Sequence, residues 1–133
     1  MSLLEPVMRE AYERLAVLFG GSLESLPETA KSISAPYMDA HFDRLRTEGG
    51  SIVVALAHYY RVNGDSVSDP DMELRIDLQA RTVEALTYQD AFKYQRVYSN
   101  GVPDRRLQLS LNAFLVTWLG NLLQQGHCFR SAP

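Results

Sequence analysis

The chain has 133 residues, 46% of them hydrophobic and 22% charged, the composition of an ordinary globular domain rather than of a disordered or fibrous chain. Its net charge of −3, from thirteen basic and sixteen acidic residues, gives no long-range pull on phosphate backbones, so nucleic acid is not an expected partner. The single cysteine, Cys128, cannot close an internal disulfide, no membrane-length apolar run occurs, and the opening residues lack a signal peptide's basic-then-apolar pattern, so a reducing, cytoplasmic setting without a membrane is expected.

A helix is predicted over 5–19. Pro6 suits its first turn, where no backbone N–H is needed, and Met8, Tyr12, Leu15 and Phe19 recur at steps of four, three and four. Gly20 and Gly21 end it. In 22–34, Ser22, Ser25 and Glu28 are suited to cap a short helix anchored by Leu23 and Leu26. From Tyr37 the period drops to two, with Met38, Ala40 and Phe42 alternating with Asp39, His41 and Asp43 in a half-buried strand. Thr47-Glu48-Gly49-Gly50 reads as the turn of a hairpin into a second strand over 51–60.

That second strand is apolar on both sides, with Ile52, Val54 and Leu56 on one face and Val53, Ala55 and Ala57 on the other. Both faces then need cover, and a second copy of the chain is one means, so a homodimer or another protein partner is expected. Residues 61–70 read as a polar connection. Strand 71–78 follows, with Met72, Leu74, Ile76 and Leu78 facing in, then strands over 82–89 and 92–98. Asp104 is placed to cap a last helix running to about Gln125, striped by Leu107, Leu111, Leu115, Trp118 and Leu122 and widened by Phe114 and Leu119. The expected fold is a single α+β domain over 1–133. An antiparallel meander of four to five strands is flanked by an N-terminal helix, a short helix and a long C-terminal amphipathic helix.

Chemistry concentrates in 58–73, where His58 precedes Asn63, Asp65, Asp69 and Asp71. Oxygen-rich loops of this kind suit hard cations, but the alternating ligand order of an EF-hand is missing, and turn chemistry at Asn63-Gly64 and Pro70 accounts for the composition. His58 shares a face with Ile52, Val54 and Leu56, and for acid–base work it needs a carboxylate within reach. Arg105 and Arg106 stand in the first turn of the last helix, where they oppose the helix dipole unless an anion docks there. His41 and His127 have no ligands at metal spacing, no Cys/His cluster suits zinc, and no phosphate-loop, dinucleotide or nucleophile-elbow motif occurs. No cofactor, metal or catalytic residue is therefore assigned. The candidate binding residues are His58, Asn63, Asp65, Asp69, Asp71, Arg105 and Arg106.

The block His58-Tyr59-Tyr60, Asn63-Gly64-Asp65 and Asp69-Pro70-Asp71-Met72-Glu73, with Tyr88 and Tyr98 beyond it, resembles a bacterial domain-of-unknown-function family with that core. The ending Asn112-Ala113-Phe114-Leu115, Trp118-Leu119 and Gly126-His127 is similar to YqiB-like uncharacterised proteins. Both resemblances imply a bacterial origin and neither implies an activity. A non-catalytic binding or interaction module is the leading expectation. The alternatives are a small metal-dependent or hydrolase-like enzyme using His58, Asp65, Asp69 and Asp71, and an RNA-binding domain suggested by the α-β-β-β-α order.

Overall fold

The computed structural model describes residues 2–129. Helix α1 spans Leu4–Leu18, the strands are β1 (Thr29–Ser32), β2 (Ala40–Glu48), β3 (Ser51–Val62), β4 (Asp65–Asp77), β5 (Thr82–Ala85), β6 (Thr87–Gln89), β7 (Tyr94–Arg96), β8 (Tyr98–Ser99) and β9 (Val102–Pro103), and helix α2 spans Arg105–Gln124. One seven-stranded antiparallel sheet runs β1-β2-β3-β4-β6-β7, with β5 also paired to β4, and β8 and β9 form a separate small hairpin. This is the α+β class expected from the sequence. The meander is wider than four to five strands, because short strands were added at both ends.

Two segments fold differently from their reading in the sequence. No helix forms within 22–34. Leu23 and Leu26 are buried as anchors of a turn, and Thr29–Ser32 then pairs along β2 as an edge strand. Nor is 61–70 a loose connection. β3 and β4 continue through it as one long hairpin, paired from Ala57–Asp71 out to Val62–Asp65. Asn63 and Gly64, at φ 52° and 87°, make the two-residue turn whose twist matches the strands. The strand predicted over 82–89 is broken at Leu86, which is buried between β5 and β6.

The core lies between one sheet face and the two helices. Phe42, Val54, Leu56, Leu74 and Ile76 meet Leu15 and Leu18 of α1 and Leu115, Leu119 and Leu122 of α2, all fully buried. The helices pack on each other, and both lie on β5. The second face of β3 is covered from within the chain. Val53 is fully buried, and its neighbours across the ladder are Arg46 and Arg75, whose aliphatic stems lie over it. Their guanidinium heads are held outward. Arg75 donates to Glu84 at 2.8 Å and Glu48 at 3.1 Å, and Arg46 donates to Glu48 at 2.8 Å. On that face Val53 and Ala57 are buried and Ala55 is partly exposed.

Candidate functional site

Residues from four places in the chain meet at one end of the sheet. Between the pairs Ala57–Asp71 and Tyr59–Ser68 the register shifts, so that Asp69 and Pro70 together oppose the single residue His58. A bulge of this kind re-aims the side chains around it. Here it turns His58 and Asp69 onto a shared cavity of about 410 Å³, together with the turn Pro36-Tyr37-Met38 and with Trp118, Asn121 and Gln125 of α2. Those three helix positions, at spacings of three and four, form one face of the helix. The Ala35–Pro36 and Asp69–Pro70 bonds are both cis.

His58 is 8% exposed, and its Nδ1 lies 2.8 Å from the Asp39 backbone oxygen. A carbonyl only accepts, so Nδ1–H donates. In the neutral ring, Nε2 therefore carries the lone pair. The ring lies 5.5 Å from Trp118 and 6.1 Å from His127, centroid to centroid. His127 is also buried, its Nδ1 2.9 Å from the Ser32 hydroxyl, which in turn accepts the Cys128 N–H at 2.9 Å. Burial, and then the neighbouring His58, hold His127 below the ordinary histidine pKa, so this ring stays neutral at neutral pH. The Trp118 Nε1 is buried without a hydrogen-bond partner among the described residues. Since its one polar atom is shut away from solvent, the indole presents carbon to the cavity.

The other residues singled out in the sequence go elsewhere. Asn63 and Asp65 are exposed at the tip of the β3–β4 hairpin. Asp71 accepts a hydrogen bond from the Tyr59 hydroxyl at 3.3 Å, and Tyr59 alternates to the sheet face opposite His58. Burial raises the pKa of Asp71 even though this hydrogen bond works the other way. Among the described residues no three His, Cys, Asp or Glu side chains are grouped to hold a metal ion. Arg105 and Arg106 line a separate cavity of about 770 Å³ beside Leu4, Met8 and Leu109. Arg105 is thirteen residues from Trp118, about 20 Å along the helix. It donates to Gln108 at 2.5 Å and lies 3.6 Å from Glu84.

Sequence reasoning brought His58 and Asp69 forward but missed Tyr37, Trp118, Asn121 and His127 as their companions. Trp118 sits on an apolar helix stripe and reads as core. His127 gains its partners from Ser32 and His58, at separations that no local motif encodes.

A family model described as a domain of unknown function (DUF6908) matches residues 10–128, and the chain belongs to that family. The match bears out a family of unknown function. It does not single out the His58–Glu73 block or the YqiB-like ending. No curated protein matches the chain, and no solved structure matches it.

Proposed function

We propose that this member of the DUF6908 family is a non-catalytic binding domain whose ligand is a small molecule held in the His58–Trp118 cavity. The observation that carries this reading is the convergence of His58, Asp69, Tyr37 and Trp118, from four separate elements, on one cavity of about 410 Å³. Ligand sites are typically clefts of roughly 300–1,000 Å³ with apolar and aromatic walls and a few fixed polar groups. The tautomer of His58, held through the Asp39 carbonyl, supplies one such group. Binding is favoured over acid–base catalysis because no hydrogen bond joins His58 to Asp69 among the described residues, and the residue holding the His58 ring is a backbone oxygen rather than a carboxylate.

The chain has one tryptophan, so its emission reports on the cavity wall without background. A library of cationic, neutral and anionic fragments, titrated against that emission, is expected to give saturable changes. Asn121→Phe fills the cavity from its exposed rim, adds no second indole, and is expected to abolish binding without unfolding the chain, as followed by the thermal midpoint. Fragments that bind equally well to the Asn121→Phe protein, or a library without a binder, would contradict the reading.

A further inference from the structure

The walls of the cavity differ in chemistry from the rest of the surface. Arg and Lys side chains are spread over both sheet edges and both helices, yet among the described residues none lines this cavity. Its one formal charge is the Asp69 carboxylate, which makes no ion pair and accepts no side-chain hydrogen bond among the described residues. Three glutamates on the sheet are ion-paired by contrast. Glu48, Glu73 and Glu84 are all engaged by Arg46 or Arg75. Asp69 is therefore a carboxylate left without its counter-charge at the mouth of an aromatic pocket.

The neighbouring surfaces share that preference. Trp118 is buried, 5% exposed, and the small part of the indole that reaches the cavity is carbon, since Nε1 is buried. Tyr37 lines the same cavity and is half-exposed. Aromatic faces attract cations through their quadrupole within about 6 Å of the ring centroid, worth about 0.5–2 kcal/mol. With Nδ1–H given to the Asp39 carbonyl, Nε2 of the neutral His58 ring is left as an acceptor for an N–H. One anion, one fixed acceptor and two aromatic surfaces all complement a ligand that is positive and rich in N–H donors.

We infer that the ligand of this cavity carries a small organic cation, a guanidinium or alkylammonium group, seated between Trp118 and Tyr37 with its N–H donors toward Asp69 and His58. This rests on the reading of the cavity as a ligand site and names the class of ligand. The same group occurs on free amines and on the arginine side chain of a peptide, and the probes below separate those sources.

The test titrates Trp118 emission with N-propylguanidinium, with its neutral isostere N-propylurea, with butyrate, and with a capped Gly-Arg-Gly peptide. Saturable binding of propylguanidinium, at least about tenfold tighter than propylurea and weakened by added salt, is expected from charge-assisted recognition. Asp69→Asn, a near-isosteric change at an exposed position, is expected to remove about tenfold of that affinity while leaving the thermal midpoint unchanged. Equal affinity for peptide and free cation supports a free small cation, and tighter binding of the peptide supports an arginine side chain. Either result keeps the chemistry. Propylurea or butyrate binding as well as propylguanidinium, or an Asp69→Asn protein with unaltered affinity, overturns the cation assignment and leaves the binding site standing. If none of the probes binds and the fragment library also has no binder, both fall.

Discussion

Asn112 is the side chain that ties helix to sheet most directly. It is fully buried, its Oδ1 accepts the Ala85 N–H at 2.9 Å, and its Nδ2 donates to the Val83 carbonyl at 2.9 Å. β5 has a strand neighbour on one edge only, so this one amide stands in for a missing strand on the other. Asn112→Ala orphans a buried donor and a buried acceptor together and is expected to cost about 3 kcal/mol, measured by urea denaturation. Asn112→Leu should do no better despite its apolar volume. Glu84 works similarly, accepting from the Tyr98 hydroxyl and Gln108 Nε2 at 2.5 Å each and from Arg75 at 2.8 Å. Burial alone raises its pKa, but these three donors outweigh it and leave the carboxyl below its ordinary value of 4.5. The unfolded chain then binds the proton first as pH falls, so the stability Glu84 contributes is present above about 4.5 and lost as pH drops through the lower folded value. A Glu84→Gln protein is expected to show a flatter stability–pH curve in that range. His127 gives a second window. Its folded pKa lies below 6.5, so stability should fall as pH drops from 6.5 toward that lower value, and His127→Gln should blunt the decline.

The elements differ in how plainly the sequence announced them. α2 was legible to within a residue or so at each end, because Asp104 is a true cap that accepts the Leu107 N–H at 3.0 Å and the leucine stripe runs unbroken behind it. The hairpin at Glu48–Ser51 and the alternation of β4 over Met72–Ile76 were equally plain. What was hidden depended on partners. Thr29–Ser32 has no alternation of its own and becomes a strand only by lying along β2. The outer part of the β3–β4 hairpin is rich in Asn, Gly, Asp and Ser, so composition reads it as a loop, although the ladder of backbone hydrogen bonds carries on to its tip. Gln108 and Asn112, one turn apart inside the leucine stripe, were the overlooked signal that the helix meets backbone as well as side chains. At the hairpin tip, Gly64 holds φ 87° in open space, so Gly64→Ala meets no clash and carries only the left-handed strain, about 1 kcal/mol by thermal denaturation.

For the molecule as a whole, the chain divides its polar chemistry between the two faces and the end of one sheet. The face away from the helices holds a network of ion pairs among Arg46, Arg75, Glu48 and Glu84 beside the buried Val53. The far end of α2 carries Arg105 and Arg106 beside a larger apolar cavity. Among the described residues, an unpaired carboxylate, a histidine held by a backbone carbonyl and the exposed Tyr37 ring come together at the β3–β4 bulge, and half of that set was recognisable before folding because His58 and Asp69 are close in sequence. The other half came from residues 37 and 118, on the turn before β2 and on α2. The direct measurement is an ¹H–¹⁵N NMR titration of the labelled chain with N-propylguanidinium. The account predicts saturable shifts confined to Tyr37, His58, Asp69, Asn121 and the Trp118 indole N–H, with Arg105 and Arg106 unmoved. Shifts centred on Arg105 and Arg106, or scattered shifts that never saturate, would contradict it.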